Sequence, residues 1–119
     1  MKIISPKFHA VIDYLMVMLL LISSDLFNLS DSAALLTYIL GGVHFLLTIL
    51  TRFSGGIFKI IPIKLHGIIE FVVSIVLVIL AFTVFKGNII DEIYFACLGL
   101  LILIVFVLTD YKNTTKTII

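Results

Sequence analysis

The sequence predicts an all-α integral membrane protein whose four transmembrane helices form two helical hairpins, repeated in parallel within one bundle. Three observations carry the prediction. Composition comes first: of 119 residues, 62% are hydrophobic and 13% charged, with a mean hydropathy of +1.34. A soluble domain is roughly half apolar and a quarter charged, so this chain lacks the polar surface to coat a globule in water. The second is four apolar stretches of spanning length. The third is an octet, "KFHAVIDY" at 7–14, which returns as "KLHGIIEF" at 64–71.

Spanning takes about 20 apolar residues, because the hydrocarbon core is ~30 Å thick and each helical residue rises ~1.5 Å. The first helix is expected over Pro6–Phe27, with Pro6 at its start, where a missing N–H is harmless. Lys2 and Lys7 ahead of an apolar run resemble a signal peptide. Asp13 interrupts that run, however, and no small-residue cleavage site precedes Ser23–Asp25, so a retained helix is expected. The second helix is expected over Ser32–Thr51, capped by Asp31 or Ser32. The third is expected over Pro62–Phe85, and the fourth over Asp91–Asp110, capped by Asn88 or Asp91. The breaks "SSDLFNLSD" and "KGNIIDE" are short and predict antiparallel hairpins. The stretch "RFSGGIFKII" (52–61) has glycines to break the second helix, and its Phe, Ile and Lys59 side chains suit a segment lying on the membrane surface.

Charge sets the orientation. Lys2, Lys7, Arg52, Lys59, Lys64, Lys112 and Lys116 fall on the side of both termini and the 52–64 loop; Lys86 alone falls opposite, among Asp25, Asp31, Asp91 and Glu92. The positive-inside rule then predicts that both termini are cytoplasmic. The halves run over 6–53 and 62–111 as one membrane domain with a 53–61 linker. The octets lie 57 residues apart and the exits "LTRF" (50–53) and "LTDY" (108–111) lie 58 apart. Two spans separate equivalent points, so the halves insert in the same direction, and a pseudo-two-fold axis along the membrane normal brings both octets to one depth.

These motifs resemble those of the small bacterial SPW-repeat membrane proteins. Each half opens with Pro, His and an acid (Pro6, His9, Asp13; Pro62, His66, Glu70) and leaves through Thr51 or Thr109 followed by Phe53 or Tyr111. "SSDLF" at 23–27 stands where that family carries Ser-Pro-Trp; this chain has no tryptophan, and its second copy reads "AFTVF" at 81–85. The resemblance implies a four-helix bundle and brings no established activity.

Residues four apart share a helix face, so His9 lies with Asp13 and His66 with Glu70. The stripes continue through Val17, Leu20 and Ser24 on the first helix, and through Ser74 and Ala81 on the third. A carboxylate in a membrane must face the bundle and find a partner, and the nearest one is expected to be its own histidine. The plain expectation is a His–acid pair per repeat that ties the first helix to the third. The alternative is a ligand set: two imidazoles and two carboxylates meeting across the axis suit Zn²⁺, Mn²⁺ or Fe²⁺. The spacing is not the Glu-x-x-His of di-iron bundles. Haem held between His9 and His66, or proton handling by the pairs, are further alternatives.

His44 continues a stripe of small or polar residues, Ala33, Thr37, Gly41 and Thr48, which reads as a close-packing seam with His44 as a secondary polar site. Ala96 and Gly99 offer a weaker seam. Cys97 is the one cysteine, so no disulfide forms within the chain. No nucleophile elbow, phosphate loop or dinucleotide glycine pattern is present, and no basic cluster points to nucleic acid. The expectation is a non-enzymatic membrane protein without a cofactor, a structural or assembly unit that self-associates through its seams or joins another membrane protein. Metal or proton binding by His9, Asp13, His66 and Glu70 is the alternative.

Overall fold

A computed structural model describes residues 2–112. Its helices are α1 (Pro6–Phe27), α2 (Asp31–Leu50), α3 (Ile63–Phe82) and α4 (Ile89–Leu108), each long and apolar enough to cross a membrane. The chain is thus an all-helical, multi-pass membrane protein. Its lipid-facing surface is built from side chains such as Leu15, Met18, Leu35, Ile79 and Ile104, all more than half exposed. Lys116, counted in the charge asymmetry, lies outside the described residues.

Helix ends differ from expectation by a few residues, each for a local reason. Ser30, not Asp31 or Ser32, caps α2, its hydroxyl accepting from the Ala33 N–H at 3.3 Å. Asn88 caps α4 and accepts from the Asp91 N–H at 3.2 Å, which moves Asp91 into the first turn. Pro62 sits at the cap of α3, one residue outside the helix. That helix stops at Phe82 rather than Phe85, because the Phe85 N–H turns back to Leu80 O (3.0 Å). The turn buries Phe85 stacked on Phe95 at 4.5 Å between centroids. Helices α2 and α4 both end one or two residues early, where Thr51 and Thr109 swing into extended backbone (ψ 143° and 135°).

α1 packs along α2, and α3 along α4. Small residues set both approaches. A Cβ on Gly41 would lie 2.8 Å from Leu21 Cδ2, and one on Gly99 would lie 2.8 Å from the Ser74 carbonyl. Gly41 and Gly99 therefore both close on the chain's own helices. Gly99→Ala is expected to force α3 and α4 apart and to destabilise by about 1–3 kcal/mol. Gly42→Ala, with nothing within 4 Å of the new Cβ, is expected to hold the wild-type midpoint or raise it slightly. Thermal unfolding of both variants in one detergent checks the contrast.

Between the hairpins runs a core of Met16, Leu20, Ala33, Leu77, Ala81, Phe95, Leu98 and Ile102. At one end the hairpins are tied by Asp91, which accepts from the Ser30 N–H (3.1 Å) and the Ser30 hydroxyl. The Tyr94 hydroxyl donates to Ser23 Oγ at 2.6 Å. Ser23, not Ser24, is thus the serine on the buried stripe of α1; Ser24 meets Tyr38 instead, at 2.8 Å.

At the opposite end two extended bridges close the mouth, Ile4 with Thr109 and Thr51 with Ile61. Ile3 and Ile4 donate to Leu108 O at 2.9 and 3.0 Å, as Ile60 and Ile61 donate to Leu50 O at 2.7 Å each. Within the 52–61 stretch, Ile57, Phe58 and Ile60 are exposed, whereas Phe53 is 6% exposed and turns inward.

Candidate metal centre

The octets place His9 and His66 in the first turn of α1 and α3, one turn before Asp13 and Glu70. All four side chains are buried, and one ligand atom from each lies within 4.8 Å of the others. They make one cluster rather than two separate pairs. The closest approach of each histidine is to the other half's acid, which corrects the expectation that its own acid is nearest. His9 Nε2 lies 2.9 Å from Glu70 Oε1 and 3.2 Å from Asp13 Oδ1. His66 Nε2 lies 3.0 Å from Asp13 Oδ2 and 3.3 Å from Glu70 Oε1. Four-residue spacing puts each pair on one face, but the turn of the two helices toward each other decides which atoms meet.

Two threonines orient the rings, and sequence reasoning gave them no role beyond a repeated exit motif. Nδ1 of His9 lies 2.8 Å from Thr109 Oγ1, and Nδ1 of His66 lies 2.7 Å from Thr51 Oγ1. Each threonine hydroxyl already donates its single hydrogen to a helical carbonyl, Val105 O or Leu47 O, at 2.6 Å. The hydroxyl oxygen can therefore only accept, so Nδ1 carries the hydrogen in both rings. Each Nε2 is then turned into the cluster, as a lone pair when the ring is neutral.

His44 joins the same space. Its Nε2 stands 3.5 Å from Asp13 Oδ1 and 3.9 Å from Glu70 Oε2. Gly41 lies in the seam below it, and buried Thr48 donates its hydroxyl to the His44 carbonyl at 2.8 Å. Four buried polar atoms here, Asp13 Oδ2, His66 Nε2, His44 Nε2 and the Tyr111 hydroxyl, make no hydrogen bond among the described residues. The first two approach closely without aiming at each other; both border the centre of the cluster.

Phe53 and Tyr111, repeat mates from the two exits, cover the site. Phe53 lies 5.5 Å from the His66 ring, and Tyr111 lies 5.6 Å from the His9 ring. Tyr111 lies against Gly67, where a Cβ would come within 2.8 Å of its ring. Burial first, then the negative charges of Glu70 and Asp13, push the Tyr111 hydroxyl above its ordinary value and keep it protonated. Outside this pair, Lys7, Arg52 and Lys112 border an open vestibule. His9 and His66 are 5.4 Å apart, edge to face, which leaves no slot for a planar macrocycle between them. No protein-family model, curated protein or solved structure matches this chain.

Proposed function

We propose that the protein is a membrane-embedded metal-binding module in which His9, Asp13, His66 and Glu70 hold one divalent cation. The observation that carries this is the convergence of four buried side chains, two imidazoles and two carboxylates, with one ligand atom of each within 4.8 Å of the others. Asp13 Oδ2 and His66 Nε2 make no hydrogen bond among the described residues, which costs free energy, and a cation at the centre would give both a partner. The donor chemistry fits: imidazole nitrogens and carboxylates are the ligands that Zn²⁺, Mn²⁺ and Fe²⁺ accept. The supporting shell fits as well. A metal-bound histidine commonly donates its other N–H to an oxygen, and Thr51 and Thr109 provide that oxygen.

On this reading the motifs shared with SPW-repeat proteins have a common purpose. The His–acid octets are the ligand sets and the threonine exits are their orienting groups, so membership of that family is part of the proposal. The charge asymmetry supports a centre at the cytoplasmic boundary, and the family resemblance supports a bacterial inner membrane. Without metal, the two imidazoles and two carboxylates clasp α1 to α3. The close separations of 2.9–3.3 Å, with His9 Nε2 hydrogen-bonded to Glu70 Oε1, support that second reading, a purely structural tie within a larger assembly.

Elemental analysis separates the two. Protein purified without a histidine tag and equilibrated with micromolar Zn²⁺, Mn²⁺ or Fe²⁺ is expected to retain one ion per chain. His9→Ala is expected to release it. Wild-type protein that retains none of the three is a clasp and no more.

A further inference from the structure

We propose that His44 is a fifth ligand of this centre, so that the ion is a first-row transition cation held by three imidazoles and two carboxylates rather than Mg²⁺ or Ca²⁺. The inference rests on the metal-binding reading and goes beyond it in donor number and in the class of ion.

The repeat itself argues for a special role. The two halves repeat their ligands and orienting threonines in sequence, but the position in α4 equivalent to His44 in α2, 58 residues on, is Ile102, which is 8% exposed. The fold is therefore content with a hydrocarbon at this place. In α2 it instead carries an imidazole whose buried Nε2 has no hydrogen-bond partner among the described residues. That nitrogen is held beside the carboxylates of Asp13 and Glu70, at the edge of the cluster.

Geometry points the same way. With metal–ligand bonds of about 2.0–2.2 Å, two donors on one ion stand roughly 3–4 Å apart. His44 Nε2 stands at 3.5 Å from Asp13 Oδ1 and 3.9 Å from Glu70 Oε2, inside that window for both carboxylates and too far for ordinary hydrogen bonds. It lies outside the four that approach one another within 4.8 Å, so it reaches the ion by moving inward. The His44 and His66 rings are 6.3 Å apart and tilted, so they reach the cluster from α2 and α3 separately. A crevice of about 40 Å³ between these helices, lined by His44, Glu70, Val43 and Val73, is room for a side chain to settle onto an ion. Hard Mg²⁺ and Ca²⁺ take oxygen donors and bind imidazole poorly, whereas three nitrogens favour the later first-row ions.

Two measurements on protein in detergent or nanodiscs test the assignment. The chain contains three histidines, so nitrogen NMR of ¹⁵N-histidine-labelled protein counts imidazole ligands directly. Adding one equivalent of Zn²⁺ is expected to move all three Nε2 signals; movement of only two overturns the role of His44. The second uses Co²⁺ as an optical probe with His44→Ile, which copies the residue of the other half. The wild-type visible band is expected to be the weaker one of five-coordinate Co²⁺. In the variant it is expected to become more intense and four-coordinate, with binding weakened roughly 10-fold or more. An unchanged band, or displacement of Co²⁺ from wild type by excess Mg²⁺, sinks the proposal. Wild-type protein that binds neither Zn²⁺ nor Co²⁺ overturns the metal-binding reading itself.

Discussion

His66→Ala is expected to lower stability by about 3–5 kcal/mol, the range for removing one partner from a buried charged group. The imidazole it deletes is fully buried and lies 3.0 Å from Asp13 and 3.3 Å from Glu70. Without it, two carboxylates share His9 alone, with the His44 Nε2 no closer than 3.5 Å. One of them must take up a proton or stay charged at the edge of the hydrocarbon, where an unpaired acid is costly. The deletion also leaves Thr51 Oγ1 without the ring hydrogen it accepts. Unfolding should be followed in detergent with a chelator present, so that loss of metal does not add to the difference. By the same geometry His9→Ala should cost as much. A midpoint equal to wild type in both would mean that the cluster does not hold the hairpins together.

Thr51→Val is expected to weaken metal binding about 10–100-fold while the stoichiometry stays at one, because it removes an outer-shell partner and keeps the shape of the side chain. The wild-type hydroxyl fixes which nitrogen of His66 carries the hydrogen. Valine lets the ring place its hydrogen on either nitrogen, and the form with Nε2–H cannot bind an ion there. The stability loss should be about 1–3 kcal/mol, since the hydroxyl's bonds to His66 Nδ1 and to Leu47 O are both lost and leave buried groups without partners. Thr109→Val should do the same through His9. Competition with a chromophoric chelator measures both affinities. A threonine that serves only to end its helix would leave the affinity where it was.

The fold was legible because its signals are long. Four apolar runs of spanning length leave little choice, and the start of α1 at Pro6 follows from the proline itself. The helix ends were less legible where a short polar side chain competes with the helix for backbone groups. Ser30 and Asn88 take the caps, and the turn after Phe82 is dictated by the burial of Phe85 against Phe95, a contact distant in sequence. The composition of the cluster could be read from the duplicated octets, because four-residue spacing fixes a face. The cross-pairing of His9 with Glu70 could not, since it depends on how far two helices turn toward each other.

Thr51 and Thr109 did leave a trace, as the one polar residue repeated at the exit of each half. A threonine after an apolar helix reads as a boundary, and nothing local shows that its oxygen faces a ring from another helix. His44 reads as a seam residue because Gly41 and Thr48 flank it, and it has no mate to mark it as part of the duplicated set. Phe53 reads as a membrane-surface residue with the rest of its loop. Its inward turn follows from the bridge between Thr51 and Ile61, a pairing that no periodicity in the sequence reveals.

The two extended bridges have a mechanical consequence. The link between Ile4 and Thr109 does by hydrogen bonding, for the fourth and first helices, what the peptide chain does for the second and third. The rim is thus a hoop fastened on both sides, and it resists the splaying that would open a bundle along its axis. Traffic to the interior must then squeeze past two aromatic shutters or seep sideways from the bilayer, and exchange at this centre should be slow.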